Sequence, residues 1–371
     1  FSYNYGADLK YGINESFTLD MTLIPDFGQV KSDDIIYNFS PFEVEYSERR
    51  QFFTEGTELF SKGGIFYSRR IGTTPKGYDR VYESLDSHEV ITKNPVTTKL
   101  FNATKLSGRT SGGLGIGLFN AMSGNTWATA VDTLSNNSRT ILSQGFTNYN
   151  MLVLDQNLKN NSYIDLLNTN YYMPTEGYMA NVSGTAFKFA NKAYTYSLTG
   201  NGFVSQKYRS HDAGEFGYSY DWAMAKIAGN FRWEFSQSLQ TDQYDPNDMG
   251  FNQKNNFFSN SINLKYNVYD PFWKLLSWYS SMGVEYNTLA RDRLFTSLLF
   301  RGSSSLTTTK HLSIGLNNEI EPMDGYDYYE PRTEGKKYRT PGYGSGGLWI
   351  STDYRKKISL GINNLAPFAT P

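Results

Sequence analysis

The sequence predicts an all-β chain folded as a transmembrane antiparallel β-barrel of about sixteen or more strands, and three observations predict it. Apolar and polar side chains alternate over many stretches of about ten residues. Aromatic residues are in excess, with Tyr 29, Phe 25 and Trp 6 making 16% of the 371 residues. No apolar run approaches the roughly 18 residues that a spanning helix needs, and mean hydropathy is negative. Successive side chains of a strand point to opposite faces, so a barrel offers lipid only every second residue and averages out as polar. Tyr and Trp gather where one end of the ring is apolar and the other wet, as at a membrane interface.

Charge and cysteine usage narrow the function classes. Lys+Arg 35 against Asp+Glu 36 gives a net charge of -1, which offers nothing to nucleic acid. With Cys 0, there is no disulfide framework, thiol nucleophile or thiolate zinc site. There is no signal peptide at the start and no closing aromatic strand at the end, where the chain reads Leu365 to Pro371. Either these residues are a mature piece, or they are a segment of something longer that carries a further N-terminal module and further strands.

In order, the first hairpin has Phe1, Tyr3, Tyr5, Ala7, Leu9, Tyr11 and Ile13 on one face, turns at Asn14-Glu15, and returns through Phe17, Leu19, Met21 and Leu23. Alternation then stops. Residues 24 to 96 are richer in charge and Pro, with short β-like pieces such as Ile65-Phe66-Tyr67, and read as one excursion that forms a plug or an external cap. The period of two resumes at Leu100 to Leu106, with a turn at Gly108 to Gly112, and again at Leu114 to Leu118. A polar loop is expected from Met122 to Gln144. Strands follow near Tyr149, Tyr163 to Tyr171, Met179 to Phe189 and Tyr194 to Leu198. The clearest later hairpin sets Phe216, Tyr218, Tyr220, Trp222 and Met224 on one face, turns near Ala225-Lys226, and returns with Phe231, Trp233 and Phe235. Further strands are expected through Ile262, Met282, Leu298, Ile314, Ile350 and Ile358 to Ile362. Connections mostly alternate short and long, the asymmetry of tight periplasmic turns and long extracellular loops.

Stretches outside the alternation carry a resemblance. They are Pro25 to Val30, Glu48-Arg49-Arg50-Gln51-Phe52-Phe53, Phe66 to Gly72, Lys105 to Arg109, Glu330-Pro331-Arg332 and Trp349 to Lys357. Together they resemble large outer-membrane β-barrel proteins of Bacteroidota without an assigned function, in which this domain commonly follows a family-nine-like carbohydrate-binding module. Ile24 and Gln51 stand where Asn and Pro are expected, and the module is missing from these residues. The resemblance implies a bacterial outer-membrane address and a carbohydrate association, and it supplies no catalytic residues to transfer.

Candidate sites are few. His88, His211 and His311 have no ligand spacing, and no metal or cofactor is expected. Asp242, Asp245 and Asp248 gather oxygen atoms as a calcium loop does, yet lack the helix-loop-helix spacing and read as a solvated polar loop. Tyr326, Tyr328 and Tyr329, beside Asp324, Asp327 and Glu330, read first as rings that pack long loops together and second as the candidate ligand-binding cluster. Rings beside carboxylates hold sugars by apolar contact plus hydrogen bonds to hydroxyls. Asp8, Lys10, Asp20, Arg232, Glu234, Lys265 and Glu285 sit on polar strand faces and would line a lumen. No nucleophile elbow or phosphate loop appears; Gly344-Ser345-Gly346 reads as a turn into a strand.

The expected function is a non-enzymatic component of a cell-surface assembly, for glycan or nutrient handling or for secretion and barrel insertion. Its partners would be outer-membrane lipid, other outer-membrane proteins and a glycan. The alternatives are a passive channel, and a surface enzyme on glycans whose active site lies in a missing domain.

Overall fold

The computed structural model of the chain describes residues 6–25, 33–210 and 212–369. Phe1, Tyr3, Tyr5, the stretch Asp26 to Val30 and His211 lie outside the described residues. The chain opens on a hairpin of β1 (Ala7–Gly12) and β2 (Phe17–Leu23). The excursion then carries two single-turn helices, α1 (Gln51–Thr54) and α2 (Arg80–Glu83), and a strand β3 (Glu89–Lys93). Next come β4 (Leu100–Arg109), β5 (Leu114–Ser123), β6 (Thr126–Asp132) and β7 (Ser138–Gln144). They are followed by β8 (Thr147–Leu158), β9 (Ser162–Met173), β10 (Tyr178–Ala190), β11 (Tyr196–Arg209), β12 (Glu215–Lys226) and β13 (Phe231–Gln240). The remainder is β14 (Phe257–Val268), β15 (Leu275–Thr288), β16 (Phe295–Thr308), β17 (Ser313–Glu321), the short β18 (Gly325–Asp327) and β19 (Tyr338–Thr340), β20 (Tyr343–Ser351) and β21 (Gly361–Ala369).

Sixteen strands form one sheet in the order β1-β2-β4-β5-β8, then consecutively to β17, then β20-β21. Every neighbouring pair is antiparallel. The all-β class and a sheet of this size are thus as expected. Among the described residues no pairing joins β1 to β21, so the sheet is not closed into a barrel by its strand ladder. Among the described residues no helix is long and apolar enough to cross a membrane.

The register separates two faces. On the outward one stand Leu118, Leu152, Leu166, Tyr218, Ile262, Met282 and Leu316, all large and all exposed, with Leu166 at 56% and Leu316 at 58%. Toward the strand ends away from the short turns this face also carries amides. Asn120 donates to Asn148 and Asn150 at 2.7 and 2.8 Å, Asn168 to Asn181 at 3.2 Å, and Gln237 to Asn260 at 2.7 Å. Because they bond to one another, these amides lessen the desolvation cost of that face.

The inward face is different over its two halves. From β4 to β12 it is covered by the excursion and by the loop between β13 and β14. Phe53, Leu59, Phe60, Ile65 and Ile71 bury themselves against Ala103, Phe119, Tyr149, Met151, Val153, Leu167, Val182 and Phe203, joined by Tyr244 and Met249 from the loop. Fully burying each such aliphatic or aromatic side chain is worth about 1.5–3 kcal/mol. Close approach is required at two glycines: a Cβ on Gly63, which sits at φ 69°, would be 2.7 Å from the Phe203 ring, and one on Gly217 would be 2.3 Å from the Gln243 backbone. From β13 to β17 the same face is polar and open, with Ser281 bonded to Ser303 and Arg301 paired to Glu285 and Glu319 at 3.3 and 2.9 Å.

Several expectations need correction. Met122 to Gln144 is not a loop: it holds β6, which pairs with β3, and β7, which pairs with β6, in a three-stranded sheet. Ile65-Phe66-Tyr67 is not a strand but an irregular segment between two 3-10 turns, with Ile65 only 1% exposed. The hairpin expected to turn at Ala225-Lys226 keeps pairing through Lys226, opposite Trp233. Gly344-Ser345-Gly346 lies within β20, and the last strand starts at Gly361 rather than near Ile358. On the long-loop side, the connections 174–177 and 210–214 are as short as the turns opposite.

Candidate functional site

The excursion is built on ion pairs and capped carbonyls rather than on secondary structure. Arg50, buried, donates to Glu48 through Nε and Nη2 at 2.9 and 2.7 Å, and to the backbone carbonyls of Ile71 and Ser68 at 2.6 and 2.7 Å. Its guanidinium also lies 4.2 Å from the centre of the Phe53 ring. Burial alone would raise the Glu48 carboxyl, but the Arg50 bond and charge, with the Ser68 hydroxyl, hold it down at about 2. Arg70 grips Glu43 with two bonds of 2.8 and 2.7 Å and the Gly250 carbonyl at 3.0 Å, tying the excursion to the loop after β13. The stretches Glu48 to Phe53 and Phe66 to Gly72, singled out in the sequence, are thus the ones that knit this element together.

Charged side chains from the sheet then clamp the excursion in place. Lys105 of β4 donates to the Phe52 carbonyl and, at 2.6 Å, to that of Glu55. Asp155 of β8 and Asp165 of β9 are direct cross-strand neighbours, and Lys62 of the excursion lies 3.0 and 3.1 Å from them. Burial works against the Lys62 ammonium, yet hydrogen bonds to both carboxylates leave its pKa raised. Arg109 of β4 also bonds to Asp155 and reaches the Gly113 carbonyl at 2.7 Å. The two aspartates are 1% and 2% exposed. Closed off and paired to cations, they anchor the excursion to the sheet.

At the rim, where the excursion, β9 to β11 and the loop 241–256 converge, lies a cavity of about 670 Å³. Lys76, Arg80, Lys207 and Arg209 line it together with Glu176, Asp245, Asp248 and Tyr178. Lys76 bonds to Asp248 and lies 4.5 Å from the centre of the Tyr178 ring, and the Tyr178 hydroxyl donates to Asp248 at 2.7 Å. Lys207 bonds to Asp245. Burial would raise the Asp245 carboxyl, but Lys207 and the Asn247 backbone N–H hold it below the usual range.

The predicted site residues are placed as follows. Tyr329 donates its hydroxyl to the carbonyls of Asn255 and Asn256 at 2.5 and 3.3 Å and packs on Phe42 with ring centres 5.9 Å apart. Burial, followed by the nearby Asp327 charge, pushes that phenol up to about 12. Tyr326 lies under the Lys337 ammonium at 3.7 Å, with Tyr328 at 6.0 Å from the same atom. Tyr329 thus packs between loops, while Tyr326 and Tyr328 lie beside Lys337 of their own segment. Asp245 and Asp248 are paired with lysines, and Asp242 with Arg291 at 3.2 Å. His88 and His311 are apart in separate loops, and among the described residues no group of three metal-ligating side chains gathers. Sequence reasoning missed Lys62, Asp155 and Asp165. The available signal was a charge at positions 105, 155 and 165, each on the face that is otherwise mostly apolar or small.

Comparison with known proteins returns a family model that matches residues 1–369, described as Domain of unknown function (DUF5916). No curated protein matches the chain.

Proposed function

The chain belongs to the DUF5916 family of domains of unknown function, and from that premise we propose a non-enzymatic outer-membrane β-barrel that works within a cell-surface assembly. In this reading the sixteen-stranded sheet closes around the excursion, its outward face meets lipid, and the bacterial outer membrane is its address. The resemblance to Bacteroidota outer-membrane proteins points the same way, and it suggests glycan or nutrient handling, or secretion and barrel insertion, as the work of the assembly. The observation that carries the proposal is the outward row of exposed Leu, Ile, Met and Tyr running across strands from β5 to β17. A water-soluble protein seldom leaves so continuous an apolar surface uncovered. Strands of 10 to 14 residues from β8 to β16 have the length that a tilted strand needs to cross a bilayer.

The test is fractionation followed by gentle detergent purification. The proposal expects the protein in outer-membrane fractions after alkaline extraction, with a stable partner copurifying. Release into the alkaline supernatant would defeat the membrane address, and purification alone would defeat the assembly. A second reading, a passive channel, is favoured by the open polar half of the inward face, where Lys265 and Arg301 are uncovered. Absence of single-channel current in a planar bilayer would remove it.

A further inference from the structure

We propose that the rim cavity is a binding site for an oxyanion, a carboxylate or phosphate group on a small ligand. Its volume, about 670 Å³, is in the range of small-molecule sites. Four separate parts of the chain build it: Lys76 and Arg80 come from the excursion, Glu176 and Tyr178 from the β9–β10 connection and the start of β10, Lys207 and Arg209 from the end of β11, and Asp245 and Asp248 from the loop after β13. The two lysines are committed, Lys76 to Asp248 and Lys207 to Asp245 and Asp248. The two arginines are not. Arg80 makes a single bond to Glu176 at 3.3 Å, and Arg209 a single bond to Glu215 at 2.8 Å.

A guanidinium has five N–H donors in a planar fork that matches an oxyanion two at a time. Each arginine therefore keeps most of its donors for something else, and both side chains are well exposed, at 64% and 48%. Arg209 is steadied over the Tyr178 ring at 5.7 Å, and Lys76 adds a positive charge on the same ring. An anion entering the cavity would find the remaining guanidinium donors of Arg80 and Arg209 beside lysines already paired to Asp245 and Asp248. A neutral ligand would gain hydrogen bonds there but no charge pairing. The site involves no residue of the Lys62 clamp, and it stands whether or not the sheet lies in a membrane.

The experiment is calorimetric titration of the purified protein with inorganic phosphate, with galacturonate and with glucose as the neutral control, in low salt. Binding of phosphate or of galacturonate, weakened about tenfold in Arg80→Gln and in Arg209→Gln, is expected for loss of a charge-assisted bond. Which of the two anions binds identifies the source. No binding of either anion, glucose binding as tightly as the anions, or affinity unchanged in the double variant would overturn the proposal. Should the arginine variants not fold, Glu176→Gln removes the carboxylate that competes for Arg80. Tighter anion binding in it supports the site, and unchanged binding overturns it.

Discussion

Lys62 is the residue on which the seating of the excursion turns, because it holds two buried carboxylates from adjacent strands. Removing one partner of such a pair leaves uncompensated charge in a low-dielectric setting, a cost of about 3–5 kcal/mol. Lys62→Ala should lower the urea midpoint accordingly, whereas Lys62→Ala combined with Asp155→Asn and Asp165→Asn should recover much of the loss; equal loss in both would refute the anchor. Glu48 makes a second prediction. Its folded pKa lies below the ordinary value, so its contribution is fully present above pH about 4.5 and is lost as pH falls toward about 2. Proteolysis of the excursion should therefore accelerate over that acid window, and Glu48→Gln should flatten the pH dependence.

At the scale of elements, strands were legible where bulky side chains alternate and illegible where they do not. Phe216 to Met224 and Phe231 to Phe235 announce themselves, and they form β12 and β13. β6 and β7 were hidden because their buried positions are filled by Ala128, Ala130 and the polar Thr126, Ser143 and Gln144, none of which marks an apolar face. Ile65-Phe66-Tyr67 misled for the opposite reason: strand-forming residues also fill an irregular segment pressed into a core. The clamp was beyond local pattern altogether, since Lys62 and Asp165 stand 103 positions apart. The two faces give a sharp test on β14. In a bilayer, Ile262→Arg on the outward face should cost about 2–4 kcal/mol, while Ser261→Arg on the open inward face should cost little. In a water-soluble sheet the exposed Ile262 would accept Arg within about 0.5 kcal/mol. Denaturation of both variants in lipid vesicles distinguishes the cases.

For the whole molecule, a sheet with an apolar outer face, an inner face that is filled over one half and polar and open over the other, and a family of unknown function leaves lipid contact as the decisive question. Trp233 lies on the outward face, opposite Leu264, whereas Trp349 lies on the inward face over Gly315. Variants retaining one or the other tryptophan, reconstituted in vesicles of brominated lipid, report directly on what each indole touches. The lipid-facing arrangement predicts strong quenching of Trp233 fluorescence and little of Trp349. A protein that stays in the aqueous phase, or in which Trp233 escapes quenching, would contradict it.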